Sequence, residues 1–351
     1  MSFSHSYEEA QELFTDSAET AGLRVVRHRI VSPLTSELYQ TYALLKRDPQ
    51  RLFLHVCGVH GAEAYAGSAV QVAFLQKKPF TNASGPSVLF VHPINPYGMA
   101  FTRRTNAQNV DLNRNYIQSP AKNADYALFD RYLNPKTLLD FPLGSLVAHF
   151  HKKRIGPNRT VQAIAGGQST HPHGIFFTGT EIQREILLFQ SFLRTHFSEI
   201  KQIVALDFHT GLGKPGEELL FADEDRNPST PDLVKSVLQR ENTQADPKAG
   251  TYTTVGRFSD SVRAALPSAH LHYLVQEMGT LPHPQVFNAL RKEALAWRRR
   301  KEDQLPPHGV RQMMMEAFCP SDPAWREKIV NLGVQRIEQC LGYLGPVNQK
   351  S

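Results

Sequence analysis

The chain has 351 residues, 41% of them hydrophobic and 21% charged, with a net charge of +6. That much apolar material suits a soluble globular protein with a sizeable core and excludes a disordered chain. No apolar run is long enough to span a bilayer, the first nine residues carry neither a basic nor an apolar leader, and three scattered cysteines make no disulfide framework, so a cytoplasmic location without membrane attachment is expected. The basic residues are dispersed apart from Arg298-Arg299-Arg300-Lys301. At the end of a helix such a run reads as a solvated last turn that suits the helix dipole, so no nucleic-acid partner is expected.

In chain order, residues 7–21 read as an amphipathic helix, and 23–31 with 37–46 as a β-hairpin. Arg47-Asp48-Pro49 turns into an apolar strand over 52–56, followed by a helix over 64–76. Residues 87–92 form another strand, and 95–116 a polar loop. Residues 125–155 read as helical with breaks at Pro135 and Pro142, and 160–180 as a strand, a loop and a short strand. A helix over 181–197 leads into a buried strand over 202–208. Then come a strand over 218–222, a helix over 231–240, a strand over 270–277, and helices over 284–301 and 323–341. With no repeat or low-complexity linker, one domain is the economical reading. Strands alternating with helices predict an α/β fold with a mixed, largely parallel twisted sheet flanked by helices.

Ligands of open α/β sheets gather where strands end. Three polar signals fall at such ends. Cys57-Gly58-Val59-His60-Gly61-Ala62-Glu63 is a strand-to-helix turn carrying an imidazole and a carboxylate three residues apart. His209 follows the apolar strand Val204-Ala205-Leu206-Asp207-Phe208, and Glu277 ends His270-Leu271-His272-Tyr273-Leu274-Val275-Gln276. His-x-x-Glu is common by itself, but two histidines and one carboxylate make a catalytic zinc set with one position left for chemistry. His60, Glu63 and His209 are therefore the candidate ligands of one zinc ion, and Glu277 the candidate general base. In the polar loop, Asp111 could orient the His60 ring. Arg114 offers a fork for a substrate carboxylate with Asn113 beside it, and Arg104 or Arg103 could stabilise an oxyanion.

His60-Gly61-Ala62-Glu63, Asn109-Val110-Asp111-Leu112-Asn113-Arg114-Asn115, Asp207-Phe208-His209 and Gln276-Glu277, in that order, resemble the motifs of the zinc carboxypeptidase family related to carboxypeptidase A. More closely the chain looks like an uncharacterised bacterial-type branch of it. The resemblance runs from about residue 52 to 280 and implies a zinc-carboxypeptidase-like fold. It also implies zinc on His60, Glu63 and His209, Glu277 as base, Asn113 and Arg114 on a free carboxylate, Asp111 behind His60, and Arg104 rather than Arg103 as the upstream arginine. Tyr252 lies where digestive members carry a mobile tyrosine, but its surroundings do not match and the role is not carried over.

The segment 117–200 is long for such enzymes and is expected to line or cover the pocket. Three functions compete. The first is a zinc carboxypeptidase releasing the C-terminal residue of short peptides. The second is an N-acyl amino acid deacylase resembling aspartoacylase or succinylglutamate desuccinylase. The third is a metal-binding protein without catalysis, against which Glu277 weighs.

Overall fold

Apolar runs become central strands here because a pleated backbone sends successive side chains to opposite faces, and both faces of the sheet are covered. The structure is a computed structural model describing residues 2–345 apart from 33, 36, 81–83, 223–228, 230–232, 236–253 and 302–303. Among the described residues seven strands form one sheet: β1 (Arg24–Ile30), β2 (Leu38–Leu45), β3 (Asp48–Cys57), β4 (Pro86–His92), β5 (Gln202–Thr210), β6 (Glu218–Ala222) and β7 (His270–Met278). Their spatial order is β1-β2-β4-β3-β5-β7-β6. The central four, β4, β3, β5 and β7, run parallel, whereas β1, β2 and β6 pair antiparallel with their neighbours. This is the mixed, centrally parallel α/β sheet expected from the sequence.

One face is covered by α1 (Tyr7–Thr20), α2 (Ala64–Gln76) and α11 (Pro323–Leu344), the last two packed together. Phe53, Phe90, Val204 and Phe208 point into that layer. Residues of opposite parity, among them Leu54, Val91, Ala205 and Tyr273, face α7 (Arg184–Phe197) and α8 (Phe258–Ala265). Ser6 begins α1 by accepting a hydrogen bond from Glu9 N at 3.1 Å, and Phe14 on that helix stacks on His92 with ring centroids 4.5 Å apart. Burying such a phenylalanine contributes roughly 3 kcal/mol. Among the described residues no helix is long and apolar enough to cross a membrane.

Several local readings change. The polar loop contains a short helix, α3 (Pro96–Ala100), which Asn95 caps by accepting from Gly98 N at 2.8 Å. The expected breaks resolve into α4 (Tyr126–Leu133) and α5 (Asp140–Ile155). Pro142 sits in the first turn of α5, where a missing N–H is harmless. The strand expected at the start of 160–180 is instead part of a helix, α6 (Pro157–Ala165). Gly156, with φ of 83°, ends α5, and Pro157 opens a new helix at its first position. The rest of that stretch makes a single bridge, Gln168 to Phe177, instead of a second strand. Residues 308–318, assigned no element from the sequence, form α10 (His308–Phe318) against α9 (His283–Arg299). The helix expected over 231–240 falls mostly, and Tyr252 wholly, outside the described residues.

Candidate metal centre

The site assembles at the C-terminal ends of β3, β4, β5 and β7, where parallel strands release their loops on one side of the sheet. After β3, Gly58 takes a φ of 69°, and a β-carbon there would meet Pro93 and Ala64 at 2.5 and 2.7 Å. His60 then leads a 3-10 turn, Gly61–Glu63, that runs into α2. Gly61 lies so close to α3 that a β-carbon would come within 2.0 Å of the Gly98 carbonyl carbon. This close approach lets Ala62 N donate to Arg103 O at 2.8 Å, which docks the polar loop onto the His60–Glu63 turn.

β5 and β7 bring two more groups together. Their register pairs His209 with Glu277, so the imidazole and the carboxylate are neighbours on adjacent strands. Asp207, two residues earlier and hence on the same face of β5, accepts from His209 Nε2 at 2.9 Å and from the Tyr273 hydroxyl at 2.7 Å. That pins the ring and turns Nδ1 toward Glu63 Oε2, 3.0 Å away. Glu63 Oε2 also accepts from Thr210 N at 2.9 Å, and Glu277 Oε1 from Leu212 N at 3.0 Å. Period-two spacing could have singled out Asp207, whereas Tyr273 could not be found without the strand pairing.

The loop supplies the cations. Arg104 donates from Nε to Asp111 Oδ2 at 3.0 Å and from Nη2 to His60 Nε2 at 2.8 Å, with Nη1 3.6 Å from Glu63 Oε1. Arg103 points elsewhere, into a 2.6 Å ion pair with buried Glu293 and over the Trp297 ring at 4.1 Å. Of the two arginines considered, Arg104 is therefore the one at the site. Asp111, fully buried, also accepts from Asn113 N at 3.0 Å and lies 3.5 Å from His60 Nδ1. Asn113 accepts from Phe258 N at 3.1 Å at the start of α8, and Arg114 donates to Ala165 O at 3.1 Å and Asn113 O at 2.9 Å. The Arg298–Lys301 run also has partners, since Arg298 and Arg299 donate to the carbonyls of Asn134 and Lys136.

One ligand atom each from His60, Glu63 and His209 lies within 4.8 Å of the others, and all three residues are at most 3% exposed. The donor set fits a divalent cation such as zinc. Two imidazoles and a carboxylate converge out of water, and His60 Nδ1 is buried without a hydrogen bond. Electrostatics agree. Burial, with the charge of Glu63, pushes Glu277 up to about 8. Burial and the nearby Arg104 hold His60 well below its usual range, while for His209 the Asp207 and Glu63 carboxylates outweigh burial and raise it. A centre that raises the Glu277 carboxyl and the His209 imidazole in this way favours added positive charge.

The long segment 117–200 reaches the site through Gly167 of its Gly166-Gly167 pair and through Phe176, which no motif marks. Phe176, with its backbone in the left-handed region at φ 58°, sets its ring 5.3 Å from the Arg104 guanidinium and 5.7 Å from that of Arg114. Gly167 packs so closely that a β-carbon would lie 2.9 Å from Val255 and 3.3 Å from Arg114 Cδ. A bulky residue at positive φ leaves no mark in a single sequence.

No curated protein matches the chain in sequence. Among solved structures it is similar to bovine thrombin-activatable fibrinolysis inhibitor, with 14% identity and a TM-score of 0.47, covering 95% of this chain and 98% of that one. It is also similar to carboxypeptidase A from Helicoverpa armigera, at 13% identity and TM-score 0.45, covering 95% and 74%. A third is a metallo-carboxypeptidase from Pseudomonas aeruginosa, at 12% and 0.43, covering 95% and 69%. Residues 3–332 match the family model described as "Protein of unknown function (DUF2817)", and the chain belongs to that family.

Proposed function

We propose that the chain is a zinc-dependent hydrolase that cleaves an amide bond beside a free carboxylate, acting as a carboxypeptidase on short peptides. The observation that carries this reading is the placement of Glu277, buried and in register with His209, next to the three candidate ligands His60, Glu63 and His209. Zinc held by those three would supply a Lewis acid for the scissile carbonyl and a more acidic water. Glu277 takes the proton of the attacking water and returns it to the departing amine, so that amide and water become carboxylic acid and amine. Arg104 stabilises the developing oxyanion, while Asp111 holds its Nε and keeps the fork aimed. Arg114 and Asn113 grip the free carboxylate of the departing residue.

A second reading, an N-acyl amino acid deacylase, is favoured by one observation: Ala165, Gly167 and Phe176 crowd the carboxylate-binding side. Zinc-loaded and metal-free protein assayed on dipeptides, tripeptides and N-acyl amino acids separates the readings. Zinc-dependent release of C-terminal residues is expected. Turnover of N-acyl amino acids alone would establish the deacylase, and zinc uptake without any hydrolysis would reduce the chain to a metal-binding protein.

A further inference from the structure

We infer that Phe176 is the specificity-determining residue of this site and restricts it to substrates whose carboxylate-bearing residue is small, such as glycine or alanine. The inference rests on the hydrolase reading for the roles of Arg104 and Arg114. Arg104 faces the reacting carbonyl in that reading and Arg114 the free carboxylate, so the residue joining the two must lie between the guanidinium groups. The Phe176 ring borders that space, 5.3 Å from one guanidinium and 5.7 Å from the other, with the residue only 8% exposed.

The backbone holds it in place from both sides. Phe176 O accepts from Gln168 N at 3.1 Å, and the next carbonyl, that of Phe177, accepts from Asp111 N at 2.8 Å. The ring is thus tied to the same aspartate that aims Arg104. Its left-handed φ of 58° is sterically unfavourable for a bulky side chain. Such outliers persist where the surroundings over-determine them, and they cluster at ligand-binding sites. Glycine would adopt this backbone without conflict. A phenylalanine here therefore places an apolar wall against two cations, where it takes the volume that a larger substrate side chain would need. Specificity of this kind is steric, and removing a ring relaxes it by an order of magnitude or more.

The test compares dipeptides ending in alanine with dipeptides ending in leucine, on zinc-loaded wild type, Phe176→Gly and Phe176→Leu. Phe176→Gly removes the ring and the steric conflict together, so it is the variant best able to fold, and Phe176→Leu shortens the wall only partly. Wild type is expected to favour the alanine substrate at least tenfold in kcat/KM. The preference should fall below about threefold in Phe176→Gly, mainly through a lower KM for the leucine substrate, with Phe176→Leu in between. An unchanged preference in both variants, or a wild type that favours leucine, overturns the inference. Calorimetric binding of the same dipeptides to zinc-loaded Glu277→Gln, with and without Phe176→Gly, gives a readout independent of turnover. If no enzyme form hydrolyses either dipeptide yet the binding preference shifts, the hydrolase reading fails and the role of Phe176 stands.

Discussion

Replacing Arg104 by alanine removes the guanidinium that lies among three groups of the site. Asp111 and Glu63 are at most 2% exposed, and Arg104 approaches them at 3.0 and 3.6 Å while donating to His60 at 2.8 Å. Breaking a buried ion pair by deleting one partner costs about 3–5 kcal/mol. Here each carboxylate keeps a backbone donor, Asn113 N or Thr210 N, so the lower end, about 3 kcal/mol, is expected for metal-free protein. Zinc should close that gap. A divalent cation and a guanidinium about 4 Å apart repel by roughly 8 kcal/mol at an effective dielectric constant near 20, so a site without Arg104 binds the ion more readily. Zinc at a hundredfold over its dissociation constant stabilises the fold by about 2.7 kcal/mol in wild type and by more in the variant. Urea unfolding with and without zinc measures both. The Arg104→Ala deficit is expected to shrink below about 1 kcal/mol with zinc, while hydrolysis stays down by roughly a hundredfold or more. A deficit that ignores zinc, or activity that returns with stability, would refute this assignment of Arg104.

Glu277→Gln should take up zinc as wild type does yet lose hydrolysis by about two to four orders of magnitude in kcat; equal turnover removes Glu277 from the reaction. Gly61→Ala drives a β-carbon to 2.0 Å from Gly98 backbone, so an overpacking loss of about 2–3 kcal/mol in urea unfolding and weaker zinc binding are expected together. Stability should also fall in acid through His55 and His92, which burial holds neutral with values near 3. The unfolded chain binds protons at both from about pH 6.5 downward while the folded chain does not. Each residue therefore removes about 1.4 kcal/mol per pH unit between 6.5 and 3, or about 4 kcal/mol for the pair at pH 5. Unfolding at pH 7 and pH 5 in wild type and His92→Asn checks this, and an equal acid loss in the variant would exclude His92.

The parallel core was legible because β3, β4, β5 and β7 are short apolar runs closed by glycine, proline or polar residues, and nothing but a strand buried on both faces suits them. His60, Glu63, His209 and Glu277 were legible for the same reason, since each is a chemically distinctive residue at the end of such a run. What eluded the sequence depends on the third dimension. Arg103 and Arg104 are adjacent and chemically identical, and only Glu293, almost two hundred residues later, claims the first of them. Tyr273 supports His209 through Asp207 across a strand pair. The strand expected from residue 160 is helix because Pro157 stands in the position that starts one. Phe176 acquires its meaning from a backbone angle.

Whether His60, Glu63 and His209 form one metal centre is tested most directly by titrating the metal-free chain with zinc in a calorimeter. One ion per chain is expected for wild type, with binding lost in Glu63→Ala and His209→Ala proteins that remain folded by circular dichroism. Zinc uptake of the same stoichiometry and affinity in either variant, or none in wild type, would contradict it.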